Sequence, residues 1–275
     1  MVPLRGIELL RGAAGTGVEG PRRWVAQTSM SHHSLFTIEL DRCVTTQVPD
    51  CLMRQGVEFP ILSEPLDPYI RMTDVNLHSP DVWNSSCWRG YIASWEVLDD
   101  HLYLVGIEGI SASYPLSLES LFPGFDQRVF AHWFSGTVIV PADDHSPQPF
   151  LSTFRVREGQ VIEPPREGRA GCLAVQIASS YDDYAPALSD LSRPRLIPEI
   201  EVEEIVSDPL GAVPAAPFGH MNWKWEEFKV SVTPGTAVWR FSYSWGGGQL
   251  HGGYATVEHD RIDRFVLTSI RELDY

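Results

Sequence analysis

Short runs of β-forming residues joined by two-residue polar turns constrain this chain more than any other feature. RGYIASWEV and HLYLVGIEGI (101–110) flank Asp99-Asp100, RVFAHWF and TVIV (137–140) flank Ser135-Gly136, and STFRVR and QVIEP flank Glu158-Gly159. Turns this short join antiparallel neighbours, because a parallel return needs a crossover of about a dozen residues. SLFTIEL (34–40), CLAVQIA (172–178), FKVSV (228–232), AVWRFSYSW (237–245), GGYATVEH (252–259) and DRFVLTSI (263–270) extend the strand pattern. Helical signals are few: SLESLF (117–122) and SSYDDYAPALSDLS (179–192), the latter with serine caps and early acidic residues that suit a helix N-terminus. The expected fold class is α+β, predominantly antiparallel β, with hairpin-built twisted sheets and few short helices.

Composition shifts between 193 and 219, where Pro194, Pro198, Pro209, Pro214 and Pro217 lie among acidic residues. The chain therefore reads as a flexible N-terminal extension (1–29), a β-rich module (30–192), a Pro-rich acidic connector (193–219) and a C-terminal hairpin module (220–275). Met30 is an alternative start to Met1.

Thirty-six acidic against 21 basic residues give a formal net charge of −15. Such a field repels polyanions, and the basic residues are scattered, so nucleic acid is not an expected partner. No run approaches the roughly 18 apolar residues of a membrane span. Arg5, Glu8 and Arg11 interrupt what an N-terminal signal would need to be apolar, so a cytoplasmic location is expected. The four cysteines (Cys43, Cys51, Cys87, Cys172) form no CxxC pair and read as reduced thiols.

With its turn at Asp99-Asp100, the WRGYIASWEV hairpin pairs Val97 with Leu102, Trp95 with Leu104 and Ala93 with Gly106. Arg89 then falls on the same face, diagonal to Glu108, as a cross-strand ion pair in a packed hairpin. The competing reading is a ligand platform of Trp88, Arg89, Glu96 and Trp133. A gap-free echo, GYIASWEVLDDHLYLVGI (90–107) and GYATVEHDRIDRFVLTSI (253–270), reads as reuse of one hairpin pattern.

WRGYIASWEV, LFP (121–123) and VFAHWFSGTVIVP (129–141) resemble a bacterial family that often carries an acidic residue where this chain has His132. Trp225, Phe228, Pro234, Gly235, Trp239, Phe241, Gly253 and Tyr254 resemble a second recurrent bacterial module, WxxF, then PG, WxF and a Gly-Tyr hairpin, with Thr236-Ala237 replacing its acidic pair. Together these matches cover about half the chain and transfer no catalytic residue. They imply an immunity or accessory protein, which is an association and not a mechanism.

Other motifs point elsewhere. GTGVEG (15–20) fits G-x-G-x-x-G with Asp41 downstream, but Arg11 to Ala14 separate it from the preceding apolar run, and no strand–helix alternation follows. SHHS (31–34) does not make a metal site, and His251 and His259 are separated by roughly 26 Å of extended strand. The abundant carboxylates, among them Glu96, Glu108, Asp126, Glu226 and Glu227, show no spacing that fixes a catalytic pair. SYSWGGGQLHGGY (242–254) presents Trp245 on a glycine-rich loop, either a plain hairpin end or a recognition anchor. In AVWRFSYSW, Trp239, Phe241 and Tyr243 form the face expected to be buried, opposite Val238, Arg240 and Ser242. The expected function is a non-enzymatic, acidic protein-interaction protein without cofactor, metal or catalytic residue, with Trp245, Trp88, Arg89 and Trp133 as interaction residues. The alternative is an enzyme or sugar-type small-ligand binder built on Trp88, Arg89, Glu96 and Trp133.

Overall fold

The computed structural model describes residues 47–54, 56–77, 84–111, 115–141, 150–169, 185–245 and 248–273. They form a β-rich α+β fold, and Thr45–Tyr275 is one compact unit. The strands are β1 (Asp50–Arg54), β2 (Val57–Ile61), β3 (Tyr91–Leu98), β4 (His101–Gly109), β5 (Val129–Phe130), β6 (Phe134–Pro141), β7 (Phe150–Arg157), β8 (Gln160–Arg169), β9 (Leu191–Arg195), β10 (Val238–Trp245), β11 (Gln249–Glu258) and β12 (Arg261–Glu272). Four short helices accompany them: α1 (Asp67–Thr73), α2 (Leu118–Leu121), α3 (Ile197–Glu203) and α4 (Asn222–Val230). One sheet runs β2-β1-β3-β4-β8-β7-β6-β12-β11-β10-β9, with β5 beside β4. Pairing is antiparallel except at β1–β3 and β6–β12. Beyond β2 the Leu62 N–H donates to the Ile139 carbonyl of β6 at 2.9 Å, so the first strands return toward the middle of the sheet.

Three hairpins turn on consecutive positive-φ residues: Asp99-Asp100 (49° and 60°), Glu158-Gly159 (50° and 79°) and His259-Asp260 (51° and 59°). Such left-handed pairs match the twist of the strands they join. The first two turns are those read from the sequence. Ser135-Gly136 is not a turn: both residues lie inside β6, the chain reverses at His132-Trp133, and β5 pairs with β4 instead. The echo between 90–107 and 253–270 also loses its register. The turn starts nine residues after Gly90 but six after Gly253, so equivalent positions of the two hairpins differ.

Two assignments change type. FKVSV, with its two valines, reads as a strand, but 222–230 is helix α4, where Trp225 and Phe228 share a buried face and Lys224–Glu227 and Glu226–Lys229 pair three residues apart. The helix expected over 179–192 lies partly outside the described residues. Within them, Leu188–Asp190 is a single 3-10 turn and Leu191 begins β9. Residues 193–219, read as a connector, contain most of β9 and all of α3, and the strands on either side share one sheet. Helix α1 escaped the sequence reading, although its Asp67-Pro68 start is a favourable helix opening. SLFTIEL, CLAVQIA, GTGVEG, SHHS, Cys43 and Cys172 lie outside the described residues.

The core fills with the inward faces of β1, β3, β4 and β6 and with α1 and α4 set against them. Trp95, Tyr91, Tyr69, Leu104, Trp133, Trp225 and Tyr254 are all buried there. Tyr69, Phe122 and Trp133 pack ring to ring at 4.9–5.5 Å, with Phe122 and Trp133 stacked.

Candidate functional site

The hairpin β3–β4 answers the question raised by WRGYIASWEV. Val97 faces Leu102 and Trp95 faces Leu104, as alternation predicts. A bulge between Ser94 and Trp95 then shifts the register, so Ala93 pairs with Ile107, and Gly106 pairs with Ser94. Strand β3 begins only at Tyr91, after a turn that ends at Gly90 (φ 78°), so Arg89 is outside the strand period. Arg89 does not meet Glu108. Its guanidinium reaches Asp50 (3.1 Å), Glu64 (2.8 Å) and the Val48 carbonyl (2.7 Å).

Asp50 is the hub of that arrangement. Its side chain is wholly buried at the head of β1 and accepts from the Ala93 N–H (3.0 Å) and Trp95 Nε1–H (3.1 Å) as well as pairing with Arg89. Burial pushes its carboxyl pKa up, and the Arg89 guanidinium pulls against that shift. A buried carboxylate holds its charge only with such partners, so Asp50 ties β1, β3 and the turn before β3 into one rigid frame.

The same frame displays Trp88. Every turn of residues 84–90 is bonded: Ser86 N–H and Oγ–H donate to Asn84 Oδ1, Cys87 N–H to the Asn84 carbonyl, and Gly90 N–H to the Cys87 carbonyl. From the preceding segment, Gln47 accepts the Trp88 N–H (2.9 Å) and donates to the Ser85 carbonyl, while Val48 N–H donates to the Ser86 carbonyl. On this braced turn Trp88 is 47% exposed, beside Val48, which is 36% exposed. A large aromatic on a backbone already fixed loses little freedom when a partner covers it.

The other members of the sequence-derived site lie apart from this display. Trp133 is buried against Tyr69 and Phe122, and its Nε1–H is bonded to the Pro65 carbonyl. Glu96 projects from the opposite face of β3 from buried Trp95 and approaches Arg128 at 3.7 Å. The structure thus joins Trp88 and Arg89, adds Asp50 and Glu64 to them, and does not gather Trp88, Arg89, Glu96 and Trp133 around one cleft. Asp50 and Glu64 left only a weak sequence signal, an acidic residue heading the alternating run DCLMR and another in a loop.

Trp245 closes β10 rather than riding on the loop. It is half-buried and stacks on His251 at 5.6 Å, and His251 in turn meets the Tyr243 hydroxyl. Burial holds His251 down at about 4. Along β10, Phe241 and Tyr243 are buried as expected, but Val238 is fully buried too and Trp239 only half-buried, because a register shift against β9 falls between Trp239 and Phe241. Phe241→Ala is therefore expected to cost about 3–5 kcal/mol and Trp245→Ala about half that, compared by thermal melts.

Among the described residues no group of three His, Cys, Asp or Glu side chains is placed to hold a metal, and no helix is long and apolar enough to cross a membrane. No protein-family model, curated protein or solved structure matches the chain.

Proposed function

We propose that this chain is a non-enzymatic, acidic interaction protein of the immunity or accessory type, that its partner is another protein, and that Trp88 is the anchor of the contact. The observation that carries this reading is the half-exposed Trp88 on a turn braced from both sides by Asn84, Gln47 and the Asp50–Arg89–Glu64 frame. Tryptophan and arginine dominate the energetics of protein interfaces, and a preorganised backbone lowers the cost of association. Arg89 serves as the support of that anchor, since its donors are engaged by Asp50, Glu64 and Val48.

Affinity capture from the native host, run in parallel on wild type and Trp88→Ala, tests the reading. A stoichiometric protein partner is expected with wild type, and the variant should bind it at least about 30-fold more weakly, the scale of a 2 kcal/mol hot spot. Its stability should fall by only about 1–2 kcal/mol, since about half of the side chain is already exposed. Equal recovery of the same partner by both proteins would overturn the proposal.

A further inference from the structure

His132 and His220 come from positions 88 residues apart and meet in the interior. Their rings lie 5.8 Å apart, nearly parallel, walled by Phe122, Phe125 and Trp133. The two rings make different demands. His132 Nε2 accepts the backbone N–H of His220 at 3.0 Å, so that nitrogen must carry no proton. His220 Nε2 contacts the Ala212 carbonyl at 3.0 Å, which requires a proton on that nitrogen and tolerates a second on the other. A proton on His132 Nε2 would set two donors against each other.

The segment held by this contact is a strap, residues 205–221. It folds back on itself through the Ile205–Pro217 bridge and the Phe218 N–H to Glu204 carbonyl bond. Residues 205–217 dock on the sheet at few points: Tyr103 Oη–H donates to Asp208 (2.6 Å), Phe130 N–H to the Ala212 carbonyl (2.7 Å), and Ala212 and Val213 pack on Tyr103 and Phe130 in a small cluster apart from the main core, whereas Phe218 and Met221 at the far end are buried in the main core, Phe218 against Trp225 and Tyr254. Its last bend is strained. Phe218 and Gly219 are both left-handed (φ 59° and 51°), a conformation that a bulky aromatic rarely adopts. A Cβ on Gly219 would stand 2.7 Å from His132 Nε2, which shows how closely the imidazole is seated on this bend.

We propose that the His132–His220 contact is an acid-sensitive latch: a proton taken from solvent by His132 Nε2 breaks its bond to the His220 N–H and releases the strained bend, freeing the strap from β4 and β5 while the rest of the sheet stays folded. Besides His220, the titratable and charged groups around the latch are Asp208 on the strap, His101 and Tyr103 on β4, and Arg128 before β5. They sit one layer out, Asp208 on Tyr103, His101 against Phe130 at 5.4 Å and Arg128 over the Tyr103 ring at 5.8 Å. Burial, and then His220, hold His132 down at about 3, against 6.5 for an exposed histidine. The closed strap therefore binds fewer protons than the open one. Between those two values each pH unit lost favours opening about tenfold, and above the upper value pH has no effect through this group.

Native-state amide exchange of the full chain, read as protection factors from pH 7 to pH 4, tests the latch. Protection in 205–221 should fall at least tenfold per pH unit below about pH 6, while the amides shared by β6 and β7, strands that carry no histidine, hold. His132→Gln keeps an acceptor that does not titrate, and should reduce the strap's pH slope by about tenfold per unit. A strap whose protection is independent of pH, falls in step with β6 and β7, or keeps its slope in the variant would overturn the proposal. If the variant does not fold, 15N-histidine spectra of wild type decide. Loss of the His220 amide's protection as His132 takes up its proton supports the latch, and a protected amide beside a protonated His132 overturns it.

Discussion

Gly253→Ala is expected to destabilise the protein by about 4 kcal/mol or more, a large part of the stability of an ordinary domain. A Cβ at this position would stand 2.0 Å from the Val266 carbonyl oxygen, 2.8 Å from Phe241 Cζ and 3.0 Å from the Val266 carbonyl carbon. The first and last of these atoms belong to backbone, so no side-chain rotation relieves them. The close approach arises where β11 and β12 slip register between Gly252 and Gly253, and glycine is what lets the two chains draw together there. Gly252→Ala is the control. Its Cβ would meet the Ser269 hydroxyl at 2.7 Å, a side chain that can turn away, so a cost near 1 kcal/mol is expected. Urea melts on both variants compare them, and equal losses would show that the bulge does not set the tolerance.

The second large effect is expected at the Asp50–Arg89 pair. Arg89→Met leaves the wholly buried Asp50 carboxylate with only the Ala93 and Trp95 donors, and breaking such a pair costs about 3–5 kcal/mol. The double variant Asp50→Asn, Arg89→Met removes the stranded charge, keeps an acceptor for the two N–H groups, and should recover at least half of that loss. The pH dependence has a defined sign. Burial already raises the Asp50 carboxyl, and loss of Arg89 raises it further. The folded variant then binds a proton that the unfolded chain releases, so its deficit relative to wild type should shrink as pH falls from 7 to 5. A deficit constant over that range would mean that the carboxylate is solvated, against its buried position.

The hairpins were legible because their information is local. Asp99-Asp100 and Glu158-Gly159 sit between alternating runs, and residues that tolerate a left-handed backbone mark the turns. The candidate site was half legible. Trp88 and Arg89 stand out as a pair, but the groups that fix them come from far away: Glu64 lies 25 residues upstream, and Val48 and Gln47 lie 41. No periodicity reports a loop carboxylate folding onto a turn. Arg89 was given the wrong partner because alternation was extended through Gly90, where the chain bends, and past a bulge that moves every later pair by one. Helix α4 was missed for a related reason. Val230 at its end and Val232 just beyond favour strand, and the burial of Trp225 against Phe218 and the distant Tyr254 overrides that preference. The strand ending at Trp245 was read as it stands, but the stacking of Trp245 on His251 was not, because it depends on the pairing of β10 with β11.

The most direct test of the proposed function is oxidative footprinting of the tryptophans, free and in the captured complex. In the free protein Trp88 should oxidise readily, while Trp95, Trp133 and Trp225, all buried, should resist. In the complex Trp88 should become protected, with the buried three unchanged. Oxidation of Trp88 at the same rate in the free and the bound protein would contradict the account.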